Sequence, residues 1–327
     1  MKYVVVLLIV MFTVGLAFYV VPNRNTSQEY QGSELLKPPE SKISYQKAFL
    51  FLPVFREGST PLHIIKASGN GANTITIGIT AKTVGNDLEL PNWEMQKQVS
   101  KELAQEAYRN SMHVEVRILG DPAGNRVTDY EAMSRNAKPI VEEVAKFAEE
   151  IDAWRFGIFG EIDNGWVMGS DKNATDVFVQ EVLPIVRTHF SGEIGMGFCC
   201  NLAPHNITGY DYVLLSINPG GYKDKETWLA GIPGTIHSVK EWAASYQVDN
   251  LVIGEVGFLT EGEAANFPEA KLFTWVLEED EEAHIYARLI DSTKDLAAGY
   301  TFYYGLPILS VKGKKSEGIV KQFFTSY

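Results

Sequence analysis

Eight short apolar runs, separated by stretches of helical periodicity, constrain this chain more than any other feature. They are KAFLFLPVF (47–55), ANTITIGITA (72–81), HVEVRIL (113–119), WRFGIFGEI (154–162), EIGMGFCC (193–200), YDYVLLSINP (210–219), NLVIGEVGFL (250–259) and GYTFYYGL (299–306). Amphipathic helices are expected over 93–111, 129–151, 174–190, 235–246 and 283–298. The runs are nearly continuous in apolar residues rather than alternating, which suits strands buried on both faces. Strands alternating with helices predict a parallel sheet with crossover helices. Eight such units from residue 45 onward match a single (β/α)8 TIM barrel. The rival is a doubly wound open sheet. Its glycine-rich turn should follow an early strand, whereas SGNGAN (68–73) precedes one.

Residues 3–22, YVVVLLIVMFTVGLAFYVVP, carry no charge, with Lys2 before them and Arg24 after. About 20 apolar residues span a bilayer as a helix. A cleavable signal has an apolar core of about 7–15 residues and small residues at the cut. This run therefore predicts an α-helical signal anchor over 1–22, with a cleaved signal peptide as the alternative. Residues 23–44 are polar with a Pro-Pro pair and read as a linker, and 45–327 as the barrel. The expected location is membrane-anchored with the domain outside the cytoplasm, or secreted if the signal is cut. Sequons at Asn25, Asn173 and Asn206 fit an exported chain.

The formal net charge is −12, and no long Lys/Arg stretch is present, which argues against a nucleic-acid partner. The acidic run 278–282 reads as a helix start, where carboxylates oppose the dipole. The adjacent Cys199 and Cys200 form no disulfide framework and lack the spacer of a metal site; nearby His205 reads as structural. No G-x-S-x-G, P-loop or H-E-x-x-H motif occurs. No metal or organic cofactor is expected.

Barrel enzymes carry their chemistry at the C-terminal ends of the strands. Read there, Glu161 in IFGEID and Glu255 in VIGEVGF interrupt strongly apolar runs. Burying a carboxylate without a partner costs several kcal/mol, so two on the fourth and seventh strands suggest an acid/base and nucleophile pair. The competing reading of Glu161 is a strand-end carboxylate paired with Arg155. Asp163 could be the working acid instead. Arg117, Asn164, Trp166, Asn218, Tyr303 and Tyr304 are further candidates for contacts with a substrate.

A fourth and a seventh strand each ending in Glu, the latter as VIGEVGF, resemble the clan A (4/7) retaining glycoside hydrolases. The resemblance runs over 45–327 by strand order. It implies a (β/α)8 barrel acting on a β-linked oligo- or polysaccharide, with Glu161 as general acid/base and Glu255 as nucleophile. It also implies an aromatic subsite floor from Tyr303 or Tyr304, and a basic residue near the nucleophile, matched loosely by Arg117. The family has Asn directly before the fourth-strand Glu, where it bonds the sugar 2-hydroxyl; this chain has Gly160. The second reading is therefore a non-catalytic carbohydrate-binding or surface-assembly protein on the same barrel.

Overall fold

The computed structural model describes residues 36–40, 42–120, 127–163, 171–199, 205–217, 219, 224–266, 275–306 and 308–327. The apolar run 3–22 and most of the polar linker fall outside these residues, as do Asn164, Trp166, Cys200 and Asn218.

Eight parallel strands close into a barrel. In chain order they are β1 (Gln46–Phe51), β2 (Thr74–Val84), β4 (His113–Gly120), β5 (Arg155–Gly157), β6 (Glu193–Phe198), β7 (Tyr212–Ile217), β8 (Asn250–Val256) and β11 (Gly299–Tyr303). Each pairs with its neighbours in sequence, and β1 bonds both β11 and β2, so the barrel has no open edge. All eight were expected, and the doubly wound alternative fails on this closure. A short β3 (Asp87–Glu89) extends β2 as an antiparallel hairpin, and β9 (Leu259–Thr260) pairs with β10 (Val276–Leu277) outside the barrel.

The helices are α1 (Pro61–Gly69), α2 (Trp93–Arg109), α3 (Tyr130–Glu150), α4 (Lys172–His189), α5 (Lys225–Ala244), α6 (Glu261–Asn266), α7 (Glu279–Thr293) and α8 (Lys315–Ser326). Asp129, Asp171 and Asp224 cap α3, α4 and α5 by accepting from backbone amides of the first turn. The acidic run does open a helix: Glu279 to Glu282 form the first turn of α7. Glu282 is nevertheless buried, bonded by Lys314 and Ser316, and so also docks α8. Helices α1, α6 and α8 were not foreseen. All three are short, and α8 follows a glycine- and lysine-rich loop rather than a strand.

Between barrel and helices lies one continuous apolar core that includes Phe49, Ile77, Val116, Phe156, Met196, Val213, Ile253 and Phe302. Inside the barrel the filling is different. Branched aliphatic side chains usually dominate there. Here Gln46, Thr76, Glu115, Arg117, Arg155, Tyr212 and Thr301 are buried together, and glycines 78, 157, 195 and 254 face them or their neighbours. A Cβ on Gly195 would lie 2.4 Å from the Tyr212 ring, so small residues make room for the large polar ones.

Candidate active site

The decisive local feature is a bulge in β8. On the β7 side, Leu215 pairs with Ile253 but Ser216 pairs with Glu255. On the β11 side, Tyr300 pairs with Ile253 and Phe302 with Val256. Both ladders skip one residue of β8 at the same place. Alternation along a strand would give Val252 and Gly254 to the interior and Glu255 to the helix layer. Gly254 does face inward, where its Cβ would meet Leu214 and Arg117. The extra residue then turns Glu255 inward as well, which is the re-aiming that bulges perform beside active sites.

Glu255 is 7% exposed, and its Oε2 accepts a hydrogen bond from the Tyr303 hydroxyl at the end of β11. Its Oε1 has no hydrogen-bond partner among the described residues. That oxygen lies against the fourth strand: a Cβ built on Gly160 would sit 2.2 Å from it. Gly160 therefore leaves the volume that this carboxylate fills. Burial pushes the Glu255 carboxyl above its ordinary range, Arg117 and the Tyr303 hydroxyl pull it down, and Glu115 opposes them.

Glu161 follows Gly160 where the fourth strand leaves regular pairing. Its neighbourhood is still pinned on both sides. The Gly160 amide donates to Ile118, and the Ile158 and Ile162 amides donate to Gly195 and Gly197. Gly197 has to be small, because its Cβ would lie 2.1 Å from the Gly160 carbonyl. Tyr303 links the two carboxylates electrostatically. Its hydroxyl is held far above the usual phenol range by burial first, then by Glu255 and Glu161.

The other expected residues divide. Arg117 is fully buried one layer below Glu255, so it supports the site from within rather than lining its surface. Asp163 accepts from the Cys199 amide at 2.8 Å, tying the loop after the fourth strand to the end of β6. Burial raises the Asp163 carboxyl despite that bond. Tyr304 points the other way from Tyr303. It packs on Phe49 and Phe51 and donates to Glu317 of α8, which puts it in the helix layer and not at the mouth. Arg155, the proposed partner of Glu161, lies at the opposite end of the strand. There it bonds Glu193 at 2.7 Å and Gln46 at 2.7 Å and sits over the Trp154 and Tyr212 rings. His205 contacts Asp176 at 2.7 Å and stacks on Phe198. Glu115 and the bulge went unremarked in the sequence. Their signals were present: two charges at i and i+2 in HVEVRIL share one strand face, and glycine precedes Glu255.

No family model matches the sequence, and no curated protein matches it significantly. Among solved structures the chain is similar to a GH113 β-1,4-mannanase (TM-score 0.67, 13% identity), covering 87% of this chain and 100% of that one. The GH113 β-mannanase of Alicyclobacillus acidocaldarius gives a TM-score of 0.66 at 14% identity, over 87% and 98% of the two chains. A glycoside hydrolase family 5 mannosidase from Rhizomucor miehei gives 0.62 at 11% identity, over 90% and 98%. At this level of identity the likeness concerns the backbone. The chain has the (β/α)8 barrel fold found in these GH113 and GH5 structures.

Proposed function

We propose that the chain is a retaining glycoside hydrolase acting on a β-linked oligo- or polysaccharide. The observation that carries this reading is the bulge of β8. It turns a carboxylate, one oxygen of which has no partner among the described residues, onto the backbone beside a second carboxylate, at the C-terminal end of the barrel. The mannanase and mannosidase structures that share the fold support a carbohydrate as the substrate class.

In this reading Glu161 gives its proton to the glycosidic oxygen while Glu255 attacks the anomeric carbon. The carbon–oxygen bond to the leaving sugar breaks, and a glycosyl ester to Glu255 forms. Glu161, now a base, takes a proton from water, which displaces Glu255 and releases the sugar with its configuration retained. Tyr303 holds Glu255 in place and stabilises its negative charge. No metal or cofactor enters these steps.

The anchored location follows from the apolar run 3–22. The linker reaches the barrel at the N-terminal end of β1, and the Leu36 amide is bonded by Gln105 near the end of α2. An anchored barrel would turn its catalytic mouth away from the bilayer and toward a polymer.

The test is hydrolysis of β-mannans, β-glucans and β-galactans by the full chain in detergent. Wild type is expected to release reducing ends. Glu161→Gln should lower that rate by about 10²–10⁴-fold; with a leaving group that needs no proton only the first step is spared, so a burst of leaving group precedes slow turnover. Wild-type turnover in Glu255→Ala would refute the nucleophile assignment. The second reading, a carbohydrate-binding protein without turnover, draws on Gly160, where clan A enzymes carry Asn. Glycan binding that is indifferent to Glu→Gln at both positions would favour it.

A further inference from the structure

Beneath Glu255 the barrel interior carries an ion pair that touches no exposed surface. Glu115 and Arg117 lie two residues apart on β4, point inward together, and are both fully buried. Arg117 Nη2 donates to both Glu115 oxygens at 2.9 Å, and Nη1 donates to the carbonyl of Gly254. Gly254 is the bulge residue. Glu115 is itself fixed by Thr76 at 2.7 Å, Gln46 at 2.9 Å and Tyr212 at 3.1 Å. A ladder gives the bulged residue's carbonyl no regular partner, and here a guanidinium supplies one. The guanidinium reaches it because two interior neighbours are glycines. A Cβ on Gly157 would lie 3.2 Å from Arg117 Cγ, and one on Gly254 would lie 3.3 Å from Nη1.

Buried ion pairs are weak evidence for stability, since desolvation offsets most of the attraction. This pair has a more specific place: one end is clamped by three strands, and the other is on the backbone that aims Glu255. We propose that Glu115 and Arg117 are positioning residues that hold the Gly254 bulge and so keep the Glu255 carboxyl turned toward Tyr303 and the Glu161 strand end. The consequence for turnover rests on the glycosidase reading; the consequence for Glu255 does not.

The charges around Glu255 give the sign. Arg117 and Glu115 face it from β4 and Tyr303 from β11, and Glu161 on the fourth strand acts on that Tyr303 hydroxyl. Arg117 favours the Glu255 anion and Glu115 partly cancels it. Glu115→Gln leaves the guanidinium uncompensated, so Glu255 titrates lower. Glu115→Asp keeps the charge and should restore the wild-type titration. Arg117→Lys cannot serve both Glu115 and the Gly254 carbonyl, so Glu255 titrates higher.

The experiment is carbon-13 NMR of the full chain in detergent, labelled at the glutamate carboxyls, with the Glu255 signal identified by its loss in Glu255→Gln. The expected result for Glu115→Gln is a downward shift of the Glu255 titration. The acid limb of the rate profile should move with it, and KM should change little. A folded Glu115→Gln protein with the wild-type Glu255 titration overturns the proposal. If that variant does not fold, Arg117→Lys with an unmoved Glu255 titration overturns it equally. Shifts in the expected directions without hydrolysis of any glycan by the wild type would sustain the positioning role and refute the glycosidase reading.

Discussion

At the scale of single residues, the site turns on the absence of one Cβ. Alanine at 160 would place a carbon 2.2 Å from Glu255 Oε1 and 2.8 Å from Leu119 Cδ2. The carboxylate has to move, because its other oxygen is already bonded by Tyr303. Gly160→Ala is expected to cost about 1–3 kcal/mol of stability and up to about 10²-fold in turnover, from urea melts and steady-state rates. Gly231 on α5 is the control. A Cβ there meets nothing within 4 Å, so Gly231→Ala should stabilise the helix by about 0.5–1 kcal/mol and leave turnover alone. Tyr303→Phe removes the hydrogen bond to Glu255 Oε2. Since that bond lowers the Glu255 carboxyl, its loss should move the acid limb of the rate profile to higher pH. A phenylalanine variant with the wild-type acid limb would mean that Glu255 is not the group titrating there.

At the scale of elements, the ends of the fourth and fifth barrel strands are held by side chain and backbone together. Asp163 is the join, and its partner is the Cys199 amide. Asp163→Ala leaves that amide without its acceptor, which costs about 1–3 kcal/mol if it stays buried, and the loop after Glu161 loosens. Asp163→Asn keeps a carbonyl oxygen in the same place. The expected outcome is near-wild-type kcat for asparagine and a clear loss for alanine; an inactive asparagine variant would make Asp163 the working acid instead.

The elements also show where the sequence was readable. Continuous apolar runs marked every barrel strand, because strands covered by helices outside and packed within leave little room for polar residues. Strand position then put Glu161 and Glu255 at the barrel mouth. The direction in which Glu255 points was not readable. Simple alternation would aim it outward, and only the pairing of β8 with both neighbours reveals the extra residue. Tyr303 and Tyr304 show the same limit. Adjacent residues on a strand face opposite ways, so one tyrosine reaches the site and the other joins the helix layer. The sequence does not say which is which.

For the whole molecule, the buried carboxylates split into two groups with opposite effects on pH stability. Burial raises Glu255, Glu282 and Asp163. A carboxyl raised in the folded state binds its proton more tightly there than in the unfolded chain. Its burial therefore disfavours folding at neutral pH, and that penalty disappears as pH falls below the unfolded values of 4.5 for the two glutamates and 3.8 for Asp163. Glu115 is the opposite case: Arg117, Thr76 and Arg155 outweigh its burial and lower it. Its contribution is present above 4.5 and is lost as pH falls through its folded value. His63, lowered by partial burial and Lys312, also loses stability below 6.5, but solvent screens that half-exposed pair. Taken by themselves, these buried carboxylates favour a stability that rises from neutral pH toward mildly acid pH and then falls as Glu115 protonates. Glu255→Gln should flatten the rising side and raise the melting temperature at pH 7, because it removes a buried charge whose Oε1 has no partner among the described residues. Glu115→Gln should instead destabilise at pH 7, leaving Arg117 unpaired, and blunt the acid collapse. Calorimetric scans of the three proteins across pH test this. A Glu255→Gln protein less stable than wild type at pH 7 would mean that the carboxylate is held in its charged form by the barrel interior rather than against it.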